Sequence, residues 1–135
     1  MTKTSSIDTG TEELLAELKE GVLTLTLNRP DRLNAINGPM LKALSEQLQR
    51  ANRNPEIRAI ILTGAGRGFC SGLDLTQQVD QKNKNESDLS NPPQFDLFDL
   101  TQSPPLALYR MDKPVICAVN GAAAGYGMDL SLLCH

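Results

Sequence analysis

Two glycine-rich segments carry the residue types best suited to chemistry. The first, residues 63–74 (TGAGRGFCSGLD), places Gly64, Gly66, Gly68 and Gly72 directly behind an apolar run. Glycine permits positive φ and lets a ligand come close to the backbone. Such a segment can aim N–H groups inward at an oxyanion or phosphate; a plain glycine-rich turn is the alternative. The second, residues 120–130 (NGAAAGYGMDL), runs from an apolar stretch through small residues into a helix expected to begin near Gly125 to Gly127. Free N–H groups at such a helix start suit a developing negative charge. Asp129 lies one turn into that helix, either as a first-turn acid that compensates the dipole or as a general acid/base. Two converging N–H groups would form an oxyanion hole for an acyl or thioester oxygen, and a nearby carboxylate would move protons at the adjacent carbons. Sequence spacing alone leaves their convergence open.

Other chemistries find less support. Gly64-x-Gly66 after a strand hints at a dinucleotide fingerprint, but a long amphipathic helix does not follow, and no P-loop lysine is present. Cys70, Cys117 and Cys134 lack CxxC spacing, which argues against a disulfide framework or a zinc site. No metal constellation is apparent. His135, the sole histidine, is terminal. Arg29 and Arg67 read as structural or loop ion-pair residues, and Met40 and Met128 as core.

The elements that must position these segments follow from periodicity. Residues 22–27 alternate Leu with Val or Thr, a strand period, and Gly21 allows a tight turn, so residues 14–28 read as a β-hairpin. Asn37 is a good N-cap and Pro39 fits a first turn; Met40, Leu41, Leu44, Leu48 and Ala51 then recur at helical spacing, giving a helix over 38–53. Residues 58–63 and 114–120 are short apolar runs, expected as strands buried on both faces. Residues 76–94 are polar and charged and read as a mobile loop. Residues 95–111 return to apolar content around Pro104 and Pro105, as a broken or late-starting helix. A last helix is expected over 128–135, and residues 1–10 read as a disordered lead. The fold class is α/β with parallel pairing, in one domain over 11–135.

Composition bounds the function. The chain has 135 residues, 40% apolar and 21% charged, within globular norms. Thirteen basic against sixteen acidic residues give a net charge of −3, with no basic stripe to neutralise phosphates, so a nucleic-acid role is not expected. The apolar stretch 114–133 is interrupted by Asn120, glycines and Asp129 and does not read as a membrane span. The N-terminal residues lack the apolar region of a signal peptide, which points to the cytoplasm.

Three motifs in order carry a resemblance. Leu27-Asn28-Arg29-Pro30-x-x-Leu33-Asn34-Ala35, then residues 61–75 from Ile61-Leu62-Thr63-Gly64 to Asp74-Leu75, then Lys113-Pro114-Val115-Ile116 through Asn120-Gly121 to Gly125-x-Gly127 resemble the enoyl-CoA hydratase/isomerase (crotonase) family. The resemblance implies a spiral of ββα units, cut before its C-terminal helical part, because family chains are about twice as long. It implies an acyl-CoA thioester substrate, coenzyme A entering as part of that substrate with no separate cofactor, and the homotrimers or hexamers that full-length members form. By position, the amides of Leu73 and Tyr126 would form the oxyanion hole. Leu73 stands where Ala is frequent, and Tyr126 where the family usually has a third glycine. Asp129 falls where hydratases often carry a catalytic Glu. Arg32, Leu33 and Ala35 would border the CoA pantetheine and phosphates, and Ser71, Asp74, Leu75 and Thr76 the adenine. Hydration of a 2-enoyl-CoA is the implied reaction. Double-bond isomerisation is its neighbour, and a truncated, non-catalytic acyl-CoA-binding or oligomerisation module is the alternative. Half a spiral is also expected to expose an apolar face that promotes association.

Overall fold

A computed structural model describes residues 4–74, 76 and 103–135. Its strands are β1 (Thr4–Ile7), β2 (Leu14–Lys19), β3 (Val22–Leu27), β4 (Ala59–Gly64) and β5 (Val115–Ala118). Its α-helices are α1 (Gly38–Arg53), α2 (Pro104–Tyr109) and α3 (Tyr126–Leu133), with a 3-10 turn at Pro30–Arg32. The five strands lie in one sheet in chain order. β1, β2 and β3 pair antiparallel, and β3, β4 and β5 pair parallel.

Register explains the core. Leu18 stands opposite Leu23, Leu23 opposite Ile60, and Ile60 opposite Val115; one step along, Ala16, Leu25, Leu62 and Cys117 form a second row. Because side chains alternate across a strand, both rows face the same side. α1 lies over them through Met40, Leu44 and Leu48, and Leu108 of α2 and Leu130 of α3 join the same cluster. α1 starts where the sequence indicates: the Asn37 side chain accepts from the Met40 amide at 3.1 Å, and Pro39 sits in the first turn.

Three expectations need correction. The residues read as a disordered lead include β1, whose pairing with β2 from Thr4 opposite Lys19 to Ile7 opposite Ala16 satisfies backbone groups while its side chains stay largely exposed. Polar composition predicts exposure, and an edge strand needs only its backbone to pair. Second, β4 and β5 are not buried on both faces. Burial alternates along β4, and Ile116 on the outer face of β5 is 59% exposed. The described helices join the core on one side only. Third, the last helix begins at Tyr126, within the expected Gly125–Gly127 start, but it ends at Leu133 rather than running to His135, with Cys134 extended as its C-cap. The prolines at 104 and 105 start α2, capped by Ser103, since their missing N–H groups cost nothing in a first turn. The loop expected over 76–94 lies, beyond Thr76, outside the described residues, as do 95–102 of the expected helix.

Candidate active site

The site is assembled at the C-terminal ends of the parallel strands β3, β4 and β5. Behind β3, the chain turns at Leu33 and Asn34, both in the left-handed region (φ 49° and 56°). Asn34 is fully buried. Its Nδ2 donates to the carbonyls of Ala65 and Gly68, both at 2.9 Å, and its Oδ1 accepts from the Arg29 amide at 2.8 Å. This one side chain fastens the loop after β3 to the loop after β4. Asn120, behind β5, does the same on the other flank. Its Nδ2 donates to the carbonyls of Gly66 (2.9 Å) and Gly68 (3.1 Å), and its Oδ1 accepts from the Gly64 amide at 3.1 Å.

With the loops fastened, short parallel bridges continue beyond the sheet, Ile36 with Leu73 and Cys70 with Ala123. The Ala124 amide donates to the Cys70 carbonyl at 3.0 Å, and the Ile36 amide to the Gly72 carbonyl at 2.8 Å. Gly72 adopts φ 116°, which L side chains rarely reach, and an added Cβ there would lie 4.0 Å from the Tyr126 nitrogen. The two glycine-rich segments therefore converge. Gly127 packs against Cys70 so closely that a Cβ would overlap the Cys70 carbonyl oxygen. Among the described residues, neither the Leu73 nor the Tyr126 amide donates a hydrogen bond. Two amides without acceptors on adjoining segments, one at the start of α3, can hold a negatively charged oxygen.

The other predicted positions fall into two groups. Asp129 is exposed, one turn along α3, with its amide donating to the Gly125 carbonyl at 3.1 Å. No hydrogen bond or ion pair engages its carboxylate among the described residues. The Tyr126 phenol is held protonated, its pKa pushed well up by burial and then by the nearby Cys70 and Asp129. Arg32, Leu33, Ala35, Ser71, Asp74 and Thr76 form a separate cluster where the loop after β3 meets residues 70–76. Ser71 donates its amide to Leu33 at 3.0 Å and its hydroxyl to Arg32 at 3.3 Å. The amides of Ala35, Ser71, Asp74 and Thr76 are all already engaged. This cluster therefore offers a ligand carbonyls and side chains rather than these N–H groups. Leu75 lies outside the described residues.

Sequence reading missed the two asparagine clasps and the partner of Arg29. Arg29 Nη1 meets Asp74 Oδ2 at 3.0 Å and donates to the Ala35 carbonyl at 2.7 Å, with the two side chains only 15% and 10% exposed. A polar residue just behind an apolar strand is the signal that could have found Asn120, whereas Asn34, seven residues beyond β3, carries no such mark. Arg67, read alongside Arg29, is exposed and makes no ion pair among the described residues. Burial pushes the Cys70 thiol up, as suits an inert core cysteine. Among the described residues, no group of three His, Cys, Asp or Glu is placed to hold a metal ion.

The Asp74 carboxyl is held below its ordinary value, first by the Thr76 hydroxyl at 2.6 Å and then by Arg29. A carboxyl lowered in the native state stabilises the fold above its unfolded pKa of about 4. That contribution is lost as pH falls through the lowered native value. Asp74→Asn is therefore expected to remove part of the acid sensitivity below about pH 4. Acid-unfolding curves of the two proteins should diverge above that range and converge below it.

The fold and site define a class: an α/β protein of the crotonase-like kind, with unpaired amides at the ends of parallel strands. The comparisons name the family. The enoyl-CoA hydratase/isomerase family model matches residues 17–135, and the chain belongs to that family. It is 44% identical over 121 residues to 1,2-epoxyphenylacetyl-CoA isomerase of Escherichia coli, covering 90% of this chain and 45% of that one. It is 42% identical over 116 residues to a probable enoyl-CoA hydratase of Rhodobacter capsulatus, covering 86% and 41%. A solved Pseudomonas aeruginosa structure superposes with a TM-score of 0.78 at 36% identity, covering 92% of this chain and 52% of that one. The chain thus spans about half the length of the relatives it matches.

Proposed function

We propose that this chain provides the oxyanion-binding half of an enzyme acting on acyl-CoA thioesters, and that the reaction is hydration of a 2-enoyl-CoA. The observation that carries the reading is the pair of acceptor-free amides, Leu73 and Tyr126, on converging segments. The thioester oxygen accepts from both. Polarisation of that carbonyl makes the β-carbon electrophilic, and charge from water addition collects on the oxygen as an enolate. Asp129, on the helix that presents the Tyr126 amide, is the chain's candidate to move the proton. The phenol of Tyr126 stays neutral and shapes the acyl site.

Coenzyme A enters as part of the substrate, with no separate cofactor. Arg32, without an ion-pair partner among the described residues, serves its phosphates, and Leu33 and Ala35 flank the pantetheine. Carbonyls of the segment Ser71, Asp74, Leu75 and Thr76 accept from the adenine amino group. The protein works in the cytoplasm as a homo-oligomer. No helix among the described residues is long and apolar enough to cross a membrane. Double-bond isomerisation uses the same stabilised enolate, and this second reading is supported by the likeness to a solved monofunctional enoyl CoA isomerase of M. smegmatis, at 36% identity and a TM-score of 0.67.

The test is turnover of a short 2-enoyl-CoA by the protein at the length its source makes it. Loss of the conjugated thioester absorbance with water uptake is expected, and Asp129→Asn should slow it by about 100-fold or more. A shifted double bond without water uptake would select isomerisation. Tight CoA-thioester binding without any turnover would leave the binding-module reading and remove the enzyme.

A further inference from the structure

The direction of the Leu73 amide is set by the segment beside it. Residues 72–74 run parallel to Ile36: the Ile36 amide donates to the Gly72 carbonyl and the Asp74 amide to the Ile36 carbonyl, both at 2.8 Å. In a parallel bridge, the residue between two such bonds directs its own N–H and C=O to the other side. Leu73 is that residue, so its amide is turned away from Ile36. The Tyr126 amide is carried by a helix, whereas Leu73 lies in an isolated bridge outside the named strands.

Arg29 spans that bridge. Its Nη1 donates to the Ala35 carbonyl at 2.7 Å and to Asp74 Oδ2 at 3.0 Å. Ala35 adjoins Ile36 and Asp74 adjoins Leu73, so one nitrogen holds both arms. Arg29 is itself fixed: its amide donates to Asn34 Oδ1 at 2.8 Å, and its carbonyl accepts from the Arg32 and Asn34 amides, both at 2.9 Å. The two side chains of the ion pair are only 15% and 10% exposed, so water screens it little, and a charge-assisted bond so placed holds its geometry firmly.

We propose, on the amide-pair reading above, that Arg29 is a positioning residue: by joining the Ala35 carbonyl to the Asp74 carboxylate, it keeps the Leu73 amide aimed at the thioester oxygen. It acts through Asp74 and Leu73 and not on the substrate. Because a single nitrogen makes both contacts, a lysine ammonium can replace it in part, whereas a methionine side chain can make neither bond.

Butyryl-CoA with an isotope-labelled thioester carbonyl, bound to the protein at the length its source makes it, tests this without turnover. Infrared difference spectra should show the carbonyl stretch lowered by binding to the unsubstituted protein, lowered less in Arg29→Met and largely restored in Arg29→Lys. Asp74→Asn keeps the shape and weakens the bond; it should move the stretch in the same direction as Arg29→Met, and it serves in its place should that variant not fold. In turnover of a short 2-enoyl-CoA, Arg29→Met should lower kcat about 10- to 100-fold, no more than the loss of an oxyanion donor outright, with KM changed less than about 3-fold. Equal carbonyl shifts in the folded variants and the unsubstituted protein would overturn the proposal and leave the amide pair standing. So would a raised KM with kcat unchanged, which would make Arg29 a support of the CoA-binding loop alone. No carbonyl shift in the unsubstituted protein would overturn the amide-pair reading itself, and this role of Arg29 with it.

Discussion

Asn34→Ala is expected to cost at least about 3 kcal/mol of stability, enough to leave a marginal domain largely unfolded. The substitution deletes one acceptor and two donated bonds at a fully buried position. It strands the carbonyl of Ala65 and the amide of Arg29, while the Gly68 carbonyl keeps only the bond from Asn120. A buried polar group left without a partner costs about 1–3 kcal/mol, more than the net worth of the bond itself. Alanine is also a poorer occupant of φ 56° than asparagine, whose side chain tolerates the left-handed region. Urea unfolding should show a lower midpoint with an unchanged slope. A loss below about 1 kcal/mol would mean that water replaces the amide and that the clasp is not structural.

Gly127→Ala should act on the site rather than on the core as a whole. The added methyl would overlap the Cys70 carbonyl oxygen and approach the Cys70 Cβ at 2.7 Å and carbonyl carbon at 2.9 Å. Those neighbours are backbone or short side chain and cannot swing aside. The start of α3 must therefore move away from residues 70–72, carrying the Tyr126 amide with it. A shift of about 1 Å in a positioning group can lower turnover about 100-fold. We expect that loss with a stability change of about 1–3 kcal/mol. Gly10→Ala is the control: it meets no neighbour, and its only burden is its own φ of 84°, a strain that helical Gly127 does not carry. Equal turnover in the two variants would separate the amide pair from catalysis.

Much of the fold was legible because local signals agreed with tertiary demands. Asn37 and Pro39 mark the start of α1, and the spacing of Met40, Leu44 and Leu48 marks its buried face. Gly21, with φ 80°, marks the hairpin. What stayed hidden depended on partners distant in sequence. β1 has exposed side chains, so no pattern announces a strand that exists by backbone pairing. Apolar runs at β4 and β5 report what those strands can bury, not which faces the described elements cover. In the site, the glycines and the two amide positions were readable, but their meeting was not. Asn34 and Asn120 look like ordinary turn residues until the loops they join are in place, and Asp74 gives no sign that its partner stands behind β3.

The convergence at Gly72 has a consequence for how the molecule reports its own integrity. The contacts that create the amide pair span 31 to 57 residues of sequence, from Asn34 with Ala65 to Thr63 with Asn120. Contacts of that range cannot persist in an unfolded chain, so no partial structure offers both donors. A ligand held by both amides is therefore a probe of the complete fold. At a concentration about 100 times its dissociation constant, it would add about 2.7 kcal/mol to folding stability. Thermal shifts on adding ligand would read global assembly and local geometry at once.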